Sequence, residues 1–183
     1  MPIRDYIIAE DFSYTTSCTA DEWKVLKLVE YWQFFLTLTF ANLGNVRGRI
    51  NRVRNWLRWV ARQGNTHRNY LVYVIRWERG EIGDRPHCHM FLGGMKDVKN
   101  HISMAHILEH DWRKRHGLAA VRPFERSRIG DGANYLAGLR NDWDWGKNSY
   151  EIRKFGRVDF SDIYFSRHAE EILRQMRNGP AAA

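Results

Sequence analysis

His87, Cys88 and His89 stand in the run Arg85-Pro86-His87-Cys88-His89-Met90-Phe91-Leu92-Gly93-Gly94. Two histidines at spacing two on a strand project to one face, because strand side chains alternate. The apolar residue between them turns to the opposite, buried face. Paired imidazoles on a sheet surface suit a divalent metal ion, which normally takes a third protein ligand and keeps open positions. Glu78 is the candidate third ligand, since it ends the strand before the histidine strand, or else forms a surface ion pair with Arg76 and Arg79. Facing residues of paired strands share a face. Glu78 therefore joins the histidines if the register sets it opposite His87, and points away if it faces Pro86 or Cys88. A metal held there would sit on a phosphodiester oxygen and stabilise the charge of the transition state. Tyr135 is the candidate nucleophile, or else a half-buried packing residue of its helix. Its phenol is weak at neutral pH, with a reference pKa of about 10, and becomes competent when a metal and basic groups neutralise the phosphate it attacks. Arg140 meets that phosphate if the helix end bends toward it.

The elements that must position these residues read as follows. Asp21 caps a helix through about Glu30, with Val25, Leu28 and Val29 on its apolar stripe. Phe34 to Phe40 is an alternating strand. Phe34, Leu36, Leu38 and Phe40 form a core face, and Phe35, Thr37 and Thr39 a ligand-facing one. Residues 46–63 form a helix with Val46, Ile50, Val53, Leu57 and Val60 on the stripe. Arg54, Arg58 and Arg62 line one ridge off it, which is either a solvated face or a DNA contact. A strand over 69–78 is joined by a glycine-containing connection to the histidine strand, so the two form a hairpin. Residues 102–116 are helical, with Ile102, Ala105, His106, Leu108 and Trp112 as candidate buried positions. A strand over 118–124, a short helix over 131–140 carrying Tyr135, a loop over 141–157 and a helix over 166–177 follow. Trp143, Trp145 and Tyr150 in that loop either stack on unpaired bases or anchor the loop. His101, His106 and His110 read as surface or packing residues rather than as a metal site.

The order strand, helix, strand, strand, helix, strand gives an α+β fold. It is a ferredoxin-like (split βαβ) antiparallel sheet, with helices on one face and the histidines on the open face. The 183 residues show no repeat or linker and form one domain, 1–183, with a core over about 34–140. Apolar residues at 44% and eight tryptophans exclude disorder. The net charge of +8 and a pI near 9.7 favour a polyanionic partner, nucleic acid first. Cys18 and Cys88 make no disulfide framework; Cys88, in mid-strand, reads as a small buried apolar residue. No signal peptide or membrane-length run is present, so an intracellular protein without a membrane partner is expected.

The motifs resemble those of the HUH endonucleases, in particular the replication initiators of rolling-circle plasmids and single-stranded phages. Phe35-Leu36-Thr37-Leu38-Thr39-Phe40-Ala41-Asn42 resembles the first motif, Pro86-His87-Cys88-His89 the second, and Tyr135-Leu136-Ala137-Gly138 the third, over about residues 34–140. The resemblance implies a Mg2+ or Mn2+ ion held by His87, His89 and Glu78. It implies attack by Tyr135 on single-stranded origin DNA, leaving a 5′-phosphotyrosine and a free 3′-hydroxyl that primes replication. Thr37, Thr39, Asn42, Arg54, Arg58 and Arg140 are the expected DNA contacts. Gly138 departs from the family's usual lysine, and no second tyrosine lies beside Tyr135, which implies a single-tyrosine enzyme. No phosphate-binding Gly-x-x-x-x-Gly-Lys-Ser/Thr loop is present, so a host helicase and polymerase are expected partners, in the cytoplasm of a prokaryotic host.

Three other functions are compatible with these residues. A DNA-binding module on the same fold, with its chemistry lost at Gly138, would be indifferent to Tyr135→Phe. A single-tyrosine transposase would differ in hairpin-end specificity and in joining to a new target. A metal-dependent phosphodiesterase using water would leave no covalent adduct.

Overall fold

Phe34, Leu36, Leu38 and Phe40 alternate with Phe35, Thr37 and Thr39, and in the computed structural model this segment forms strand β1 (Trp32–Thr39). The structure describes residues 20–42, 45–79, 85–129, 132–133, 136 and 163–178, with Val46, Glu78 and Arg79 described through their backbone alone. The other strands are β2 (Val72–Arg79), β3 (Pro86–Gly93), β4 (Ala119–Pro123) and β5 (Ile163–Phe165). They form one sheet in the order β4-β1-β3-β2-β5, with every neighbouring pair antiparallel. The architecture is therefore α+β around an antiparallel sheet.

One face, the rear, carries the larger core. Phe34, Leu36, Leu38, Phe40, Cys88, Met90 and Leu92 are buried there against helices α2 (Val46–Gln63) and α3 (His101–Arg115). Asn45 and Asn100 cap these helices, accepting from the Gly48 and Ser103 amides at 2.7 and 3.0 Å. Each cap contributes about 1 kcal/mol. The α2 stripe is buried at Val53, Leu57 and Val60 and is widened by Trp56 and Ala61. On α3 the buried face is turned from the expected one. Ile102 is 64% exposed and His106 is exposed, while Met104, Ala105, Leu108, Asp111 and Trp112 are buried. Trp112 sets this rotation. Its ring packs edge-on against Phe40 and Trp56, at 5.3 and 5.4 Å between centroids, and its indole donates to the Thr39 carbonyl at 3.0 Å.

The opposite face, the front, is not left open along its whole length, as helices on one face would have left it. Trp32, Val72, Val74, Phe91 and Phe165 belong to a second buried cluster. That cluster is completed by helix α1 (Ala20–Lys27), by Ile129, Ala133 and Leu136, and by helix α4 (Arg167–Asn178). The reason is hydrophobic: these strand side chains are too apolar to remain in water. Trp32 reaches this face although it has the parity of Phe34. A register shift between Trp32 and Phe34 breaks the alternation, and the Gln33 amide secures it by bonding both the Met95 carbonyl and the Met95 amide, at 2.9 and 3.0 Å. The front face is thus divided into an apolar half under cover and a polar half at the histidine end. No described helix is long and apolar enough to cross a membrane.

Candidate metal and nucleic-acid site

The antiparallel registers line up the polar half in two rows. The first runs Thr37, His89, Arg76 and Ile163 across β1, β3, β2 and β5. The second runs Thr39, His87 and Glu78 across β1, β3 and β2. Glu78 pairs with His87, which is the register that sets both positions on one face. Below them lies an aromatic row, Phe35 opposite Phe91 and Phe91 opposite Val74.

His87 and His89 sit with ring centroids 4.9 Å apart and planes at 86°. His89 is buried and His87 half-buried. The His87 Nδ1 lies 3.3 Å from the Arg85 carbonyl. A carbonyl only accepts, so Nδ1 carries the proton and the neutral ring has its lone pair on Nε2. His89 Nδ1 lies 3.0 Å from the Thr37 hydroxyl, and Phe35 stacks parallel to the His89 ring at 6.2 Å. Two histidines oriented through Nδ1 and able to coordinate through Nε2 match a metal-ligand pair with its supporting hydrogen bonds. Among the described residues no cluster of three His, Cys, Asp or Glu side chains assembles; the Glu78 side chain lies outside them.

β1 is fixed where it carries the threonines. The Thr39 amide donates to the Leu118 carbonyl at 2.8 Å, and the Phe40 amide to the Pro86 carbonyl at 3.2 Å. Asn42 is exposed just past this end. Thr37, Thr39, His87 and His89 are therefore brought together on one face. Arg54 and Arg58 are not: both are exposed on α2, which packs behind the sheet. Tyr135, Gly138, Arg140, Trp143, Trp145 and Tyr150 lie outside the described residues, as do Cys18 and the 141–157 segment.

Arg76, read from the sequence only as a surface neighbour of Glu78, lies in the His89 row. It is 6% exposed, stands opposite His89, and donates from Nη1 to the Leu136 carbonyl at 3.0 Å. The available signal was its spacing of two from Glu78, which gives the two residues the same face. Beside Phe35 and Phe91, a cavity of about 470 Å³ is also lined by Arg122, Phe124 and Arg128. Cys88, between the histidines, points into the rear core, and burial alone pushes its thiol pKa far up. The sequence matches no protein-family model, and it matches no curated protein and no solved structure.

Proposed function

We propose that this protein nicks and rejoins single-stranded DNA at a replication origin through a tyrosine nucleophile, initiating rolling-circle replication. The observation that carries the reading is the pair of cross-strand rows, Thr37-His89-Arg76 and Thr39-His87-Glu78, on one sheet face. The strand order is compatible with a ferredoxin-like sheet extended by one edge strand. His87, His89 and Glu78 would hold Mg2+ or Mn2+, which supplies Lewis-acid stabilisation of the charge developing on the phosphate.

The chain's own residues do the rest. Thr37 orients the His89 ring, and the Arg85 carbonyl orients His87. Arg76 adds a fixed guanidinium in the His89 row and ties down Leu136, the residue that follows Tyr135 in the sequence. The phenol of Tyr135 gives its proton to solvent and attacks the phosphorus. A 5′-phosphotyrosine bond forms, the P–O3′ bond breaks, and the 3′-oxygen leaves, taking a proton from solvent to become the priming hydroxyl. The ester retains the energy of the broken bond, so a later 3′-hydroxyl can reverse the step. The basic character of the chain, +8 overall, favours DNA as partner. Thr37, Thr39 and Asn42 are the proposed DNA contacts on this side, and Arg140 is proposed from its place in the sequence alone.

Incubation with a labelled random-sequence single-stranded DNA pool and Mn2+, followed by a denaturing gel, tests the reading. A covalent protein–DNA band that requires the metal and disappears in Tyr135→Phe supports it. Metal-dependent cleavage that survives in Tyr135→Phe contradicts it and assigns water as nucleophile.

A further inference from the structure

Between α2 and the start of α4, by edge strand β5, lies a cavity of about 670 Å³ that the proposed chemistry does not use. Arg54 and Arg58 of α2, Arg68 of the turn before β2, and Arg167 of α4 converge on it. Glu171 is its one lining carboxylate, and it is already engaged, by Arg167 Nε at 3.0 Å and by His168 Nδ1 at 3.5 Å. Among the described residues no carboxylate pairs with Arg54, Arg58 or Arg68. Arg54, Arg68 and Tyr73 all line this one cavity.

Aromatic rings interleave with these charges. Tyr70 and Tyr164 are large apolar surfaces left 55% and 52% exposed at the rim. Tyr70 stands edge-on to His168 at 5.6 Å, and Tyr164 leans on Tyr73 at 6.3 Å, so both rings are propped rather than swinging free. The floor is rigid. The Ser166 hydroxyl donates to the Leu71 carbonyl at 3.1 Å, and accepts from the Tyr73 and Ala169 amides at 3.1 and 3.2 Å, locking the start of α4 onto β2.

We propose that this cavity is a second single-stranded DNA site, with bases stacked on Tyr70 and Tyr164 and phosphates held by Arg54, Arg58 and Arg68. Exposed rings between guanidiniums are the pattern that single strands use, since every unpaired base offers a π-face. Cations contributed by separate elements around so wide an opening exceed what one small anion needs. Paired bases hide their faces, which disfavours a duplex. Edge strand β5 links the two sides of the sheet. Ile163 stands in the front row opposite Arg76, and the next residue, Tyr164, turns to the other face and lines the cavity. A strand leaving the histidine face over β5 would arrive at Tyr164. The site itself does not depend on strand cleavage.

The test is fluorescence anisotropy of the full chain with a fluorescein-labelled oligothymidylate of about 20 nucleotides, longer than many single-strand sites. It is run in EDTA, where no metal-dependent cleavage occurs, so its outcome is separate from that of the nicking reading. Arg54→Glu with Arg68→Glu is expected to weaken binding about ten-fold or more and to lower the salt slope by about 1.4, the share of two phosphates on a single strand. Arg54→Lys with Arg68→Lys should keep the wild-type slope, which separates charge from folding. Tyr164→Ala should weaken binding about five-fold or more. Unchanged affinity in the double glutamate variant overturns the proposal. So does competition by polyglutamate as effective as by DNA together with no effect of Tyr164→Ala, which would point to an acidic protein.

Discussion

Arg76 donates from Nη1 to the backbone carbonyl of Leu136 across 3.0 Å. The bond joins the strand position opposite His89 to the residue that follows Tyr135 in the chain. Removing a charged donor from a buried acceptor costs about 2 kcal/mol. Arg76→Leu should therefore lower the urea unfolding midpoint by an equivalent amount. Adduct formation should fall by about ten-fold beyond that, because a displaced nucleophile loses near-attack geometry. An unchanged midpoint would remove the tether from the account.

Thr37 holds His89 by its hydroxyl at 3.0 Å. Loss of such an orienting partner typically weakens metal binding about ten-fold or more. Thr37→Val should weaken Mn2+ in calorimetric titration by that factor, and Thr37→Ser should restore it. Equal affinity in the valine variant would mean that Thr37 does not orient the ring for coordination.

His116 packs its ring against Trp112 at 4.7 Å. Burial first, then Arg52 and Arg115, lower its pKa from the usual 6.5. As the pH falls, the unfolded chain takes up this proton before the folded one does. Stability is then full above about pH 6.5 and declines as the pH drops toward the folded value. His116→Gln should flatten the dependence of stability on pH between about 7 and 5. A variant that loses stability as steeply as the wild type over that window would contradict the assignment.

Cys88 is fully buried, and burial holds its thiol protonated well beyond the usual range. A thiol reagent at about pH 8, near the ordinary cysteine pKa, should leave Cys88 unmodified in the folded protein and label it in urea. Labelling of Cys88 without unfolding would show that β3 opens locally at the histidines.

Periodicity carried much of this structure. The α2 stripe, the alternation of β1 and the His87/His89 strand follow from patterns within one element, and they are found where spacing predicts. The hairpin between β2 and β3 also sets Glu78 opposite His87, a register that the sequence could only pose as a condition. What escaped is tertiary. Ile102 lies exposed and Met104 buried because Trp112, reaching back to Thr39, fixes how α3 rolls on the sheet. Trp32 changes faces because Gln33 finds partners at Met95, far along the chain. β5 has three residues, too short for its own alternation to be read. Arg76 resembles any strand arginine until the carbonyl it bonds is known.

The proposed function requires Tyr135 to become joined to DNA. Mass spectrometry of the trypsin-digested protein–DNA adduct tests it most directly. Cleavage after Arg128 and Arg140 releases residues 129–140, in which Tyr135 is the single tyrosine. The expected product is a 5′-phosphonucleotide on that peptide, formed with Mn2+ and absent when His87 and His89 are both replaced by alanine. DNA attached to any other peptide, or strand cleavage with no attached peptide, would contradict it.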